Sequence, residues 1–249
     1  MNAPELLLET RDLGISFGGV RVVDGVDFAL AEGELRCLIG PNGAGKSTFF
    51  KLLTGQYQPT RGKVLVRGKS IAGLHSHQIA RLGIGIKTQV PSVFNGLTVR
   101  ENIWLSASRG ATSDSVERTV DEILELVQVG PLRDRIVGEL AHGQRQWVEL
   151  GLVLATSPEL MLLDEPAAGM SDEEVERTAT LIRSINERCA LIVVEHDMEF
   201  VGMIAARVTV LNRGRVLMEG SCDEVLRDER VRDVYLGRRL HADLAERLA

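Results

Sequence analysis

The chain has 249 residues, of which 44% are hydrophobic and 26% charged, as in an ordinary globular protein with room for one large domain. Its formal net charge of −6, without any basic run, argues against a nucleic-acid partner. No apolar stretch reaches the roughly 18 residues that span a bilayer, and no secretory signal is expected at the N-terminus. Three scattered cysteines indicate neither a disulfide framework nor a zinc site.

The first part of the chain predicts short strands separated by glycine-containing turns. The strands are expected at Leu6–Leu8, Ile15–Phe17, Val26–Leu30, Leu35–Ile39 and Val64–Val66. Leu35–Ile39 differs from the others because it is mostly apolar and leads directly into a glycine-rich loop.

Residues 90–158 are expected to be mainly helical. Apolar residues recur at helical spacing in Val116–Val127 and again in a segment that begins near Gly143. Gly130-Pro131 would end the first of these helices, because neither residue favours a helix interior.

The remainder of the chain alternates between strand and helix. Buried strands are predicted at Leu160–Leu163 and Leu191–Val194, with a helix over Asp172–Arg188 between them. A hairpin is predicted around Arg213-Gly214. Short apolar strands joined by helices are typical of a parallel sheet covered on both faces, so an α/β fold is expected.

A phosphate-binding loop follows the strand Leu35–Ile39. The residues that match G-x-x-x-x-G-K-[ST] are Gly40, Pro41, Asn42, Gly43, Ala44, Gly45, Lys46 and Ser47. Glycines let backbone N–H groups point at phosphate oxygens, and a helix that begins near Lys46 presents its positive end to the same anion. Lys46 can place its charge between the outer phosphates, and the Ser47 hydroxyl can bind Mg²⁺. The alternative is a chance match, which the flanking strand and helix disfavour.

Two adjacent carboxylates, Asp164 and Glu165, follow the strand Leu160–Leu163. Side chains at the carboxyl end of a sheet strand face the ligand crevice of open α/β folds. Asp164 is therefore expected to hold Mg²⁺, directly or through water, and Glu165 to orient and polarise an attacking water. Without the phosphate loop, a solvated acidic turn would be an equally good interpretation.

Further features, in order along the chain, resemble the ATP-binding cassette (ABC) family, and the resemblance covers nearly all 249 residues. The matching positions are Phe17 for the adenine-stacking aromatic, Gln89 for the Q-loop, Leu140–Gln144 for the signature, Ala168–Ser171 for the D-loop and His196 for the switch histidine. The resemblance implies a P-loop ABC ATPase with a RecA-like core sheet, an antiparallel β subdomain and a helical signature subdomain. One nucleotide-binding domain would then span 1–249, with its core in about 1–89 and 159–249 and its helical subdomain in about 90–158.

The same resemblance implies a role for each matching residue. Phe17 and Thr48 would contact ATP, Gln89 would sense Mg²⁺ or the attacking water, and His196 would donate a hydrogen bond to the γ-phosphate. The residues expected to contact ATP held by a second subunit are Ala141, His142, Gly143 and Gln144. The alternatives are a core aromatic at Phe17, a polar loop residue at Gln89 and a surface histidine at His196.

Three residues depart from the usual pattern of the family. Ala141 replaces the signature serine, His142 replaces the glycine that follows, and Ser171 replaces the D-loop aspartate. A subunit that binds ATP without hydrolysing it is therefore one alternative. The presence of Lys46 and Glu165 favours a hydrolysing enzyme instead.

Segments 140–151, 165–170 and 195–201 resemble ATPase subunits of uptake systems for urea, short amides and branched-chain amino acids. Residues 83–94 are most similar to the urea type. The resemblance implies ATP and Mg²⁺ as cofactors, and permease subunits, a second identical or paralogous ATPase and, indirectly, a solute-binding protein as partners. The chain would lie peripherally on the cytoplasmic face of the membrane. An ABC system that moves lipid or lipopolysaccharide and a non-transport ABC ATPase remain alternatives.

Overall fold

The structure is a computed structural model, and it describes residues 5–88, 92–108 and 113–235. The strands are β1 (Leu6–Phe17), β2 (Val20–Ala31), β3 (Leu35–Ile39), β4 (Arg61–Val66), β5 (Lys69–Ser70), β6 (Ile84–Lys87), β7 (Leu160–Asp164), β8 (Ala190–Val194), β9 (Arg207–Asn212) and β10 (Arg215–Gly220). The helices are α1 (Lys46–Leu53), α2 (Ser76–Ala80), α3 (Val99–Ala107), α4 (Ser113–Leu126), α5 (His142–Leu154), α6 (Asp172–Asn186), α7 (Met198–Ile204) and α8 (Cys222–Arg227).

The strands form two sheets. One has six strands in the order β10-β9-β3-β8-β7-β6, and its neighbours pair in parallel except for β10, which pairs antiparallel with β9 at one edge. The other has four antiparallel strands in the order β2-β1-β4-β5. The expected α/β class is confirmed, and so is the expected pair of a parallel core sheet and an antiparallel sheet.

The six-stranded sheet separates two hydrophobic cores. Its strands present alternate residues to opposite faces, as the pleat requires. Met161 and Leu163 of β7 belong to the core shared with α3 to α7. Leu160 and Leu162 belong to the core shared with α1 and the antiparallel sheet. Both faces of the sheet are covered, which explains why its central strands are mostly apolar.

The antiparallel sheet corrects the strand boundaries of the sequence analysis: β2 and β4 begin at Val20 and Arg61, before the expected Val26 and Val64. Leu6–Leu8 and Ile15–Phe17 were expected as separate strands, but both lie in the single strand β1. The polar residues between them form an irregular stretch, in which the pairing with β2 shifts register and Asp12 has a φ of 49°. A bulge of this kind inserts exposed polar residues without ending the strand.

The helices lie where the apolar periodicity placed them. α4 and α5 fall within residues 90–158, and α6 begins at the expected Asp172 but ends at Asn186, two residues before the expected Arg188. Ser171 caps α6 through a reciprocal pair of bonds with Glu174. The division into a core and a helical subdomain stays a prediction. Within the described residues, none of the helices combines the length and the apolar character needed to cross a bilayer.

The buried β7 residue Leu162 provides a test of the packing. It is fully buried, so we expect Leu162→Ala to lower the free energy of unfolding by about 2–5 kcal/mol through lost apolar burial and a residual cavity. Urea denaturation followed by circular dichroism measures the change. Leu226→Ala is the matched control, because that side chain is 46% exposed. Equal losses in the two variants would contradict the described core.

Candidate nucleotide-binding site

The phosphate loop joins β3 to α1 and has the backbone geometry that the motif predicted. Gly43 and Gly45 have φ values of 78° and 100°, in the left-handed region that favours glycine. A Cβ at Gly45 would lie 2.6 Å from the carbonyl oxygen of Val22. The loop is therefore tightly packed on one side, while Asn42 and Gly43 are exposed on the other.

A hairpin braces this loop from outside. Gly214, in the turn between β9 and β10, donates its N–H to the carbonyl of Ala44 at 2.9 Å and accepts from the Asp24 N–H at 2.8 Å. Arg215 pairs with the Asp24 carboxylate at 2.6 Å. The sequence predicted the hairpin but not its contact with the loop, because strand order cannot be read from local residue patterns.

Lys46 lies inside the curve of the loop. Its ammonium donates to the carbonyls of Gly40 and Pro41, and its side chain is largely buried. Burial lowers the pKa of Lys46, and the nearby Glu165 and Asp164 carboxylates oppose this shift. Ser47 follows in the first turn of α1 with its side chain exposed. The loop thus offers backbone N–H groups, an ammonium and a hydroxyl to a polyphosphate.

Asp164 is the last residue of β7, and one of its carboxylate oxygens has an unusual environment. Its Oδ1 is buried and makes no hydrogen bond with any residue in the described part of the chain. Burial, and then the neighbouring Glu165 carboxylate, raise the pKa of Asp164. A buried carboxylate oxygen without a donor is costly, and a cation ligated by oxygen would satisfy it. The donor set of Asp164 and Ser47 therefore fits Mg²⁺.

Glu165 and His196, predicted from separate motifs, come together. The Glu165 carboxylate lies 3.2 Å from His196 Nδ1. Glu165 has a φ of 46°, which is uncommon for a residue with a side chain, and its N–H donates to the Val194 carbonyl at 2.9 Å. Strained backbone of this kind is often found where a reactive side chain must be held in one direction.

Glu195 was not singled out by the sequence analysis. It follows β8, is almost fully buried and accepts the His196 N–H at 3.2 Å. Burial raises the pKa of Glu195. Its carboxylate is also 3.9 Å from His196 Nδ1, so two carboxylates lie near this ring nitrogen. A glutamate directly before the expected switch histidine was the available signal.

The signature segment begins α5 at His142, with Ala141 as the N-cap. An alanine side chain cannot accept a hydrogen bond, but Gln144 Oε1 still accepts the Ala141 N–H at 3.2 Å. The His142 ring, which stands where the family usually has glycine, has its Nε2 atom 3.1 Å from the Ala168 carbonyl oxygen. Gly143 packs so closely against Glu174 that any Cβ would overlap its carboxylate.

Phe17 and Gln89 complete the predicted set. Phe17 ends β1, is 44% exposed and meets Tyr57 edge-on with ring centroids 5.4 Å apart. The alternative of a core aromatic at this position is therefore wrong, and a ring face is available for stacking. Gln89 lies outside the described residues, so its role stays a prediction.

Residues 23–168, which contain the phosphate loop, both carboxylates and the signature, match the family described as ABC transporter. The chain belongs to the ABC transporter family. It is therefore an ABC ATPase, which couples the hydrolysis of ATP to transport and uses ATP with Mg²⁺. Membership of this family favours a working ATPase over a subunit that only binds nucleotide.

Relatives of this ABC ATPase cover nearly its whole length. BraF of Pseudomonas aeruginosa, a high-affinity branched-chain amino acid transport ATP-binding protein, is 33% identical over 249 residues, covering 93% of this chain and 98% of BraF. LptB of Acidithiobacillus ferridurans, a lipopolysaccharide export system ATP-binding protein, is 36% identical over 234 residues, covering 93% and 97%. A crystal structure of an ABC transporter cassette in its ADP conformation superposes with a TM-score of 0.82 at 28% identity, covering 93% of this chain and 99% of that one.

Replacing Glu165 tests whether its carboxylate, which lies next to His196, acts as the general base. We expect Glu165→Gln to bind ATP as the wild type does and to lose about 100-fold or more of its turnover, because an amide cannot take a proton from water. Phosphate release and equilibrium dialysis with labelled ATP measure the two quantities. Glu122→Gln, at an exposed position of α4, is the matched control. Undiminished phosphate release by Glu165→Gln would exclude the carboxylate as the base.

Proposed function

We propose that this ATPase powers an ABC importer for branched-chain amino acids. The observation that carries the proposal is the similarity to BraF, which extends over 93% of this chain and 98% of the relative. Such coverage leaves no large part of either sequence unmatched, so the surfaces that meet other subunits are compared together with the ATP site. Membrane permeases and, indirectly, a solute-binding protein would be its partners.

In the proposed reaction each site residue has one task. Lys46 and the loop N–H groups neutralise and orient the phosphates, and Asp164 and Ser47 would hold Mg²⁺, which would supply further positive charge to the phosphates. Glu165 takes a proton from the attacking water, and His196 donates to the γ-phosphate while its other nitrogen faces Glu165. Gln89 would monitor Mg²⁺ or the water, and the Phe17 ring would stack on adenine.

We further propose that two ATPase subunits, identical or paralogous, close over two ATP molecules. The exposed side of the phosphate loop, at Asn42 and Gly43, supports this arrangement, and so does the exposure of Ala141 and His142 at the start of α5. The N-terminal end of α5 offers backbone N–H groups and a positive dipole to an anion. The active site would then be shared across a two-fold interface.

The permeases would dock on the segment that follows β6. Phe94 is 60% exposed and Leu105 39% exposed, and Asn102 Nδ2 ties the Phe94 carbonyl to α3 at 3.0 Å. Large contiguous apolar patches mark protein contacts, and we propose that Phe94 and Leu105 contribute to such a patch. Docking here would hold the chain peripherally at the cytoplasmic face of the membrane, near the predicted Gln89.

Two other cargoes follow from specific observations. Urea or a short amide is favoured by residues 83–94, which resemble the urea-type subunit. Lipopolysaccharide export is favoured by LptB, which is 36% identical over 97% of its length. The ATP site described above is compatible with all three cargoes, because the cargo would not touch this chain.

Uptake by cells that lack this chain tests the proposed cargo. We expect deletion of its gene to abolish high-affinity uptake of labelled leucine and to leave urea uptake unchanged, because only the matching permease loses its ATPase. Cells complemented with Glu165→Gln serve as the matched control and should remain defective. Loss of urea uptake alone would favour the urea system. Normal uptake of both solutes, with altered surface lipopolysaccharide, would favour the export system.

A further inference from the structure

A buried pair of opposite charges joins the six-stranded sheet to the signature helix. Lys87 is the last residue of β6, Glu149 lies in the middle of α5, and their side chains are 2% and 5% exposed. The Lys87 ammonium is 3.7 Å from Glu149 Oε2. Neither residue has a role in the site described above.

Lys87 also lies close to the nucleotide site in the six-stranded sheet. It pairs in the parallel ladder with Leu163, the residue directly before Asp164. Burial lowers the pKa of Lys87, and three carboxylates oppose this shift, first Glu149 and then Asp164 and Glu195. One buried cation is therefore shared between the carboxyl ends of the sheet strands and a helix that packs on the sheet.

This pair is a poor device for stability alone. Glu149 Oε1 is buried and has no hydrogen-bond partner in residues 5–88, 92–108 or 113–235, and burial raises the pKa of that carboxyl. A buried ion pair that is not fully hydrogen-bonded rarely repays its loss of hydration, and apolar residues of similar volume are often as stable or more stable. Stability alone therefore does not explain why this ion pair is buried.

We propose that Lys87 and Glu149 are positioning residues that transmit the charge state of the nucleotide site to the signature helix. When a divalent cation offsets the Asp164 carboxylate, less of the Lys87 charge is engaged there and its attraction to Glu149 increases. The separation of 3.7 Å leaves room to shorten to a charge-assisted hydrogen bond. The start of α5, where His142 and Gly143 lie, would then be held in one orientation.

Side-chain contacts join α5 to α6. Trp147, two residues before Glu149, donates its indole N–H to Thr178 Oγ1 at 2.9 Å, and the Arg177 guanidinium lies 3.8 Å from the centre of its ring. A shift of α5 would therefore also reach the Ser171–Glu174 cap that contacts Gly143. This inference concerns ATP turnover in the chain itself and does not depend on the proposed cargo.

The test removes the two charges together. In Lys87→Met with Glu149→Met the charges are replaced by apolar side chains, and we expect this variant to melt no lower than the wild type. It should bind ATP without Mg²⁺ as the wild type does and lose about tenfold of its maximal turnover with Mg²⁺, since couplings of this kind are modest. Arg100→Met with Glu117→Gln is the matched control, because that ion pair links α3 to α4 without reaching the sheet.

Hydrogen exchange gives a readout that a merely structural pair would not affect. We expect Mg²⁺–ADP to slow amide exchange in the phosphate loop and in α5 of the wild type, but only in the loop of the double variant. Slowed exchange in α5 of both proteins, or in neither, would overturn the inference, as would full turnover by the double variant.

If the double variant does not fold, two single variants test the same inference. Lys87→Arg keeps the charge and should retain turnover, while Glu149→Gln keeps the shape and should lose it with an unchanged KM for ATP. Equal turnover of these two variants would overturn the inference.

Discussion

Parallel pairing around β8 is the constraint on which the site depends. Val194, the last residue of β8, is level with Leu38 of β3 on one side and with Asp164 of β7 on the other. All three strands have their carboxyl ends on the same side of the sheet. The phosphate loop, Glu165 and His196 follow these ends and therefore lie side by side. A shift of one residue in either ladder would turn every side chain to the opposite face and separate these groups.

Several buried charges lie at these carboxyl ends of the strands. Lys46 and Lys87 are largely buried near Asp164 and Glu195, and Asp164 and Glu195 each keep one buried oxygen without a donor in the described residues. Such an arrangement is costly in an empty site. It is useful in a site where a polyphosphate and a cation supply the missing charges, because fixed charges need no reorganisation during the reaction. The buried charges therefore lower the stability of the empty site but are already arranged for its ligands.

Helix α5 places a second set of functional groups next to the carboxyl ends of the strands. α5 contacts the segment after Glu165 through His142 and Ala168, and it reaches the sheet through Lys87 and Glu149. Both links join the region of the ATP site to the signature helix, one at the start of the helix and one at its middle. In an ABC ATPase whose signature serves a second subunit, as we propose, these links would relate the state of one ATP site to the other.

The sequence by itself determined the phosphate loop, the carboxylates Asp164 and Glu165, and the helices α4 to α6, because each depends on the short-range spacing of glycine, acidic or apolar residues. The motif order also predicted roles for Phe17 and His196. The local pattern was most misleading in the antiparallel sheet, where the polar stretch around Asp12 made β1 look like two strands.

Only the tertiary structure decided which of these local features meet. It brought Gly214 to the phosphate loop, Glu165 to His196 and Glu149 to Lys87, and the members of each pair lie on separate elements far apart in the chain. These contacts depend on strand order and on how helices pack across a sheet, which short-range patterns do not encode. The sequence determined the chemistry of the groups, and the parallel register of the sheet determined their distances.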